Sequence, residues 1–223
     1  MTRFVTIALA LAVPLAAQSL NDTFARMDKT APGLNSVTAG INRDVHTAII
    51  NDDEVDNGTI KMKREKSHSI LMLIDFTGNA ARTVALDDSR VTIYNPKIKS
   101  AQEFNIGAKK QMVEQFLLLG FGATSAELKQ SYDVSWAGAE TMDGQPTGHL
   151  KLTPKVTDVS RQMSGAELWI SANSGLPVQQ KILFTSGDYW LVKYSDIKVN
   201  PSLSDDAVKI KLPKGVQVEH PQF

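Results

Sequence analysis

The side chains able to do chemistry are spread thinly along this chain of 223 residues. The four histidines, His46, His68, His149 and His220, are far apart and share no ligand spacing. Each reads as a surface or strand histidine and not as a metal ligand. The run Asp52-Asp53-Glu54-Val55-Asp56-Asn57-Gly58 invites a calcium-loop reading. With Gly58 as the loop glycine, however, Arg64 stands where a bidentate Glu is required, so the run is read as a solvated hairpin tip closed by Asn-Gly. Gly120-Phe121-Gly122-Ala123-Thr124-Ser125 begins like a phosphate loop but follows a helical pattern and lacks the third glycine, which makes it a helix stop and hinge. Asp158, Ser160 and Arg161 have no spacing that demands catalysis. Neither a G-x-S-x-G elbow nor an H-E-x-x-H helix occurs, so the protein is not expected to be an enzyme or to need a cofactor or metal.

Composition narrows the classes further. Lys and Arg total 24, as do Asp and Glu, and no basic cluster is interleaved with aromatics, so nucleic acid is not an expected partner. There is no cysteine, which removes disulfides, thiolate metal sites and lipid attachment through an N-terminal cysteine. Residues 1–19 read as a cleaved signal peptide: one cation at Arg3, an apolar run over 4–15, then small residues. Cleavage after Ala17 and after Ser19 both fit. The apolar run is shorter than the roughly 20 residues of a spanning helix, and no later segment is more apolar. Residues 20–223 are expected to form one domain, since no repeat or linker divides them.

The elements that must position any site are mostly strands. A first helix is expected from residue 20, capped by Ser19 or Asn21, with Leu20, Phe24 and Met27 on one stripe. A long extended stretch over 34–50 follows, then strands at 59–64, 69–76, 82–86, 90–94 and 101–106, separated by hairpin-length turns. Residues 108–119 change period to an amphipathic helix with Met112 and Phe116 on its apolar face, and a short helical turn is expected near 125–129. Strand patterns resume at 132–136, 149–153, 166–171, 178–185, 189–195 and 207–212. About eleven strands and so few helices exclude an α/β fold and predict an α+β, mainly β protein built on one antiparallel sheet. Sheet and helices each have an apolar face to bury. A strongly curved sheet whose concave side is covered by the helices satisfies both, and such an arrangement encloses space.

Five segments stand out: Gly58-Thr59-Ile60-Lys61-Met62-Lys63-Arg64, residues 84–96 ending in Tyr94-Asn95-Pro96, Leu152-Thr153-Pro154-Lys155, Gly175-Leu176-Pro177, and 212–218 with Pro213, Gly215 and Val216. They resemble motifs of the periplasmic lipoprotein carriers of the LolA type. Together they run in family order along nearly all of the chain after residue 19. The resemblance implies an incompletely closed barrel of about eleven strands under a helical lid. It implies a periplasmic, monomeric carrier of acylated lipoprotein or lipid, working between an inner-membrane ABC exporter and an outer-membrane acceptor. On that reading the cavity is lined by Phe24, Met27, Ile60, Met62, Ile70, Met72, Ile74, Phe76, Met112, Phe116, Leu150, Leu152, Leu168, Ile170, Ile182, Phe184 and Trp190. Methionines would let its shape adapt. Arg64, sharing strand parity with Ile60 and Met62, is expected to point inward and hold the lid. The sequence departs from the family after Arg64, where Glu65-Lys66-Ser67-His68 replaces the usual proline and aromatic, and at Asp88-Ser89, which replaces Asp-Gly. A divergent member could carry another lipid or sense envelope stress without transporting.

Overall fold

The computed structural model describes residues 19–65, 70–78, 80–87, 89–107, 119 and 121–221. Apart from Ser19, the expected signal segment lies outside these residues. So does most of the helix expected over 108–119, including Met112 and Phe116.

The chain enters through α1 (Leu20–Thr30), where Ser19 and Asp22 form a reciprocal capping box and Phe24 and Met27 are buried. A 3₁₀ turn, Ala31–Gly33, ends the helix with proline in its first turn. The strands follow as β1 (Ser36–Thr47), β2 (Asp52–Arg64), β3 (Ile70–Thr77), β4 (Arg82–Asp87), β5 (Arg90–Asn95) and β6 (Ser100–Asn105). After α2 (Ser125–Ser131) come β7 (Tyr132–Met142) and β8 (Gln145–Pro154), then a single turn α3 (Thr157–Ser160). The last strands are β9 (Met163–Ser171), β10 (Pro177–Phe184), β11 (Tyr189–Val199) and β12 (Gln217–Glu219).

All twelve belong to one sheet in the order β12-β6-β5-β4-β3-β2-β1-β11-β10-β9-β8-β7. Its two halves meet where β1 pairs with β11, and the two ends of the order do not pair with each other. Every pairing is antiparallel except that of β12 with β6. Bulges at Thr38/Gly40 and Trp136/Gly138 add local twist, which curves the sheet. This is the mainly β, helix-covered architecture that the sequence pattern predicts, and its open ends are what the resemblance implies.

Two expectations change. The acidic run is not a hairpin tip. Chain reversal occurs at Ala48–Asn51, where Asn51 takes a left-handed φ of 47°, and β2 pairs with β1 from Asp52 onward. Gly58 therefore lies inside a strand, where a Cβ would collide with the backbone of Asp75. Its role is close approach and not a turn. Residues 207–212 do not form a strand either. Lys63 holds Leu203 O at 2.8 Å and Asp205 at 2.5 Å, and the chain there makes a 3₁₀ turn, Asp205–Val208, that buries Val208.

The register assigns the concave face. Ile60 opposes Ile74, Met62 opposes Met72 and Arg64 opposes Ile70, while Val84 and Leu86 continue the rows on β4. Across the central junction, Ile41 opposes Tyr194, Arg43 opposes Val192 and Val45 opposes Trp190. Leu150, Leu168 and Gln180 extend the same face through β8, β9 and β10.

Candidate functional site

The expected lining residues fall into three groups. Phe24 and Met27 of α1 pack on Leu150, Leu152, Leu168, Ile170 and Ile182, with Phe184 against the edge of this cluster. These close-packed side chains seat the helix. Met62 and Ile70 join Leu34, Val37, Phe121 and Leu176 in a second cluster beneath the chain that follows α1. Met72, fully buried, belongs to a third cluster with Ile60, Phe76, Leu86 and Ile106.

Between these clusters the concave face holds a cavity of about 530 Å³. Ile60, Ile74, Phe76, Ile182 and Trp190 line it, so five of the expected residues meet there. Ile41, Val84 and Val192 extend its apolar wall. Burial pushes the phenol of Tyr194, which also lines it, above its ordinary range. A volume of this order falls within the roughly 300–1,000 Å³ of small-molecule sites.

Arg64 points inward, as its parity predicts. Its Nη2 donates to Gly122 O at 2.7 Å and its Nη1 to Ala31 O at 3.3 Å. One guanidinium thus ties the turn after α1 to the glycine that follows the expected amphipathic helix. Gly122 has φ of 70°, and a Cβ there would meet the arginine and Leu34. The glycine is needed both for its backbone and for the room it leaves. The same region is pinned by Asp28, which accepts from Ser125 N at 2.6 Å and Ser125 Oγ at 2.7 Å, joining α1 to α2.

Arg43, Arg82 and Gln180 on the cavity wall, and Asp56, which pairs with both arginines, went unnoticed in the sequence. Asp56, whose side chain is 1% exposed, accepts from Arg43 and from Arg82, the latter at 2.7 Å. Both guanidinium carbons lie 4.5 Å from the centre of the Phe76 ring, and that of Arg43 lies 5.2 Å from that of Trp190. Burial acts to raise the Asp56 carboxyl, but the hydrogen bonds and charges of the two arginines outweigh it and hold the group below its usual range. Gln180 is 5% exposed and its Oε1 is buried without a hydrogen-bond partner. The signal was strand parity: Arg43 sits between Ile41 and Val45, and Arg82 precedes Val84 and Leu86 at alternate positions. Asp56 was hidden by the loop reading of its segment.

Among the described residues no group of three or more potential metal ligands occurs. His149 is more deeply set than a surface residue. It is 6% exposed on the convex side, stacked 4.2 Å from Trp169, with Glu140 at 2.7 Å and Glu167 at 2.6 Å from its two nitrogens. His46 stacks on Tyr189 and faces Asp53 at 2.8 Å, His220 lies 3.7 Å from Glu103, and His68 is outside the described residues. Asp158 and Arg161 form an exposed pair at 3.5 Å.

No family model and no curated protein matches this sequence. Solved structures do. An uncharacterized conserved protein from Thermus thermophilus matches with a TM-score of 0.56 at 14% identity, over 92% of this chain and 100% of that one. MucB matches with a TM-score of 0.53 at 16% identity, over 86% of this chain and 62% of MucB. This chain therefore spans about three fifths of MucB. A LolA superfamily protein from Nitrosomonas europaea is matched at 11% identity and a TM-score of 0.41, over 87% of this chain and 99% of that one. At such identities the likeness concerns fold alone. Among the described residues no helix is long and apolar enough to cross a membrane. The twelve-stranded curved sheet, its open ends and the helix on its concave side make up the fold that this chain shares with the Thermus thermophilus protein and with the matched part of MucB.

Proposed function

We propose that this protein is a non-enzymatic periplasmic carrier that takes up acyl chains of lipoproteins, or of a related lipid, and shuttles them from the inner to the outer membrane. It would act as a monomer, receive cargo from an inner-membrane ABC exporter and deliver it to an outer-membrane acceptor. The observation that carries the reading is the cavity of about 530 Å³ walled by Ile60, Ile74, Ile182 and Val192. Each methylene moved from water into such a wall is worth about 0.8 kcal/mol, so an acyl chain gains by entering. The cargo must also leave. Arg64 supports this part, since two hydrogen bonds to carbonyls can be exchanged for bonds to water or cargo when the covering segment moves.

The test is native mass spectrometry of the protein purified from membranes, with lipid extraction of the same sample. Acylated lipoprotein or lipid should be recovered in defined ratio to protein, and Arg64→Leu should change that ratio. Recovery of empty protein in both forms would defeat the carrier reading.

A second reading, an envelope-stress sensor that binds lipid or lipoprotein without moving it, is favoured by the likeness to MucB, which has been solved in complex with MucA(peri). Transfer separates the two. A carrier moves a fluorescent acyl cargo between donor and acceptor vesicles, whereas a sensor retains it or answers by binding a second protein.

A further inference from the structure

The wall of the cavity is not uniformly apolar, and its polar part is charged. Arg43 and Arg82 share one oxygen of Asp56, so two cations face one buried anion. Desolvation pulls the Arg43 guanidinium below its usual range, even with the Asp56 bond opposing that shift. Arg43 Nε is buried with no partner. Gln180, one strand beyond Val192 in the same transverse row, carries the second unpartnered buried polar atom, Oε1. An amide side chain can offer either its oxygen or its NH₂ to a ligand by rotating. Glu54 lines the same cavity but is exposed, and its charge acts on Arg43 from the solvent side. It is therefore the screened, solvent-side charge, while the arginines are the sheltered ones.

Unmatched donors and an excess cation are costly in an apolar wall unless something completes them. We propose that the cavity is selective for anionic amphiphiles, with a carboxylate or phosphate seated against Arg43 and Arg82 and its alkyl chain lying over Ile60, Ile74 and Val192. The selectivity rests on the lipid-binding reading above but goes beyond it, because a cavity for acyl chains alone has no use for the arginines. Two guanidiniums whose carbons lie 4.5 Å from the centre of the Phe76 ring are anchored side by side, and their remaining N–H groups suit a branched oxyanion. The two cation–π contacts hold this geometry when the site is empty.

The experiment displaces the neutral dye N-phenyl-1-naphthylamine from the delipidated mature protein with three sixteen-carbon amphiphiles below their aggregation limits. These are hexadecanoate, hexadecyl phosphate and neutral hexadecanol. Either anion should bind about tenfold or more tightly than the alcohol at low salt. The anion that binds better tells a fatty-acid source from a phospholipid one. Raising salt from about 20 mM to about 500 mM should erode the anion preference. Arg82→Gln, which leaves Asp56 its Arg43 partner, should bring the ratio near one. Exposed Glu54→Gln should raise it by removing a like charge.

Equal affinity for anions and alcohol in the unaltered protein, or a ratio indifferent to salt and to Glu54→Gln, overturns the proposal even if Arg82→Gln fails to fold. Tight binding of the alcohol would then leave the acyl-cavity reading standing. No displacement by any of the three defeats both.

Discussion

Ser19 closes the first turn of α1 by accepting from Asp22 N at 3.2 Å while its own N–H reaches the Asp22 carboxylate at 3.1 Å. The Asp22 carboxyl is held below its usual range, first by the Ser19 side chain and then by its backbone. Ser19→Ala should cost about 1 kcal/mol in urea unfolding. Asp56 makes the sharper prediction. Its folded carboxyl titrates below the unfolded one, so its contribution is complete above the ordinary carboxylate range and is lost as pH falls through the folded value. The unfolding midpoint should therefore drop steeply below about pH 4 in the unaltered protein. Asp56→Asn should be less stable by about 3 kcal/mol at pH 7, because two guanidiniums lose their anion, and its profile in acid should be flatter. An equally steep acid limb in the variant would show that other carboxylates set it. Ser19 could be read from the sequence because a cap is a local pattern. Asp56 could not, since its partners stand thirteen residues before and twenty-six after it.

At the scale of elements, strand parity was the dependable guide. It placed Ile60, Met62 and Arg64 on one face of their strand and Ile70, Met72, Ile74 and Phe76 on one face of the next, and the observed register sets the two rows side by side. It failed where composition was trusted over parity, and at 207–212, where Val208, Ile210 and Leu212 alternate but no strand forms. The residues 52–58 are polar enough to resemble a loop, yet a strand whose outer face meets water tolerates Asp53, Val55 and Asn57 there. The β12 pairing had no such signal, because a three-residue strand beside β6 is fixed by where the chain returns and not by its own pattern. One glycine joins two elements. Gly175, at φ of 70°, meets the end of α1, and an added Cβ would lie 2.6 Å from Arg26 O. Arg26 also donates to Ala172 O, and Thr30 Oγ1 to Ser174 O at 2.7 Å, so the β9–β10 turn is the seat of the helix. Gly175→Ala should push α1 off this seat, lowering stability by about 2 kcal/mol through backbone strain and lost packing. Faster amide exchange confined to residues 20–30 would locate the effect. A loss spread evenly over the sheet would speak against it.

For the whole molecule, the cavity follows from an unclosed sheet bent about the β1–β11 junction. The helix α1 covers the half formed by β8, β9 and β10, and the half formed by β2 to β5 keeps open space before its apolar rows. That an enclosed space should exist was legible in the sequence, from one curved sheet sharing its inner face with few helices. Its charged wall was not legible, because only folding brings β1, β2 and β4 side chains around Phe76. If the space exists for cargo, filling it should separate stability from uptake. Ile74→Trp with Val192→Trp places two large apolar rings in room that is already there, at opposite sides of the cavity. Neither residue takes part in the Asp56 or Arg64 hydrogen bonds, though Val192 stands opposite Arg43 in the β1–β11 register. Because the added atoms replace empty volume, the unfolding free energy should stay within about 1 kcal/mol or rise. Uptake of a fluorescent acyl probe should fall about tenfold or more for lack of room. Retained uptake in a folded double variant would mean that the probe, and by extension the cargo, sits elsewhere on the sheet.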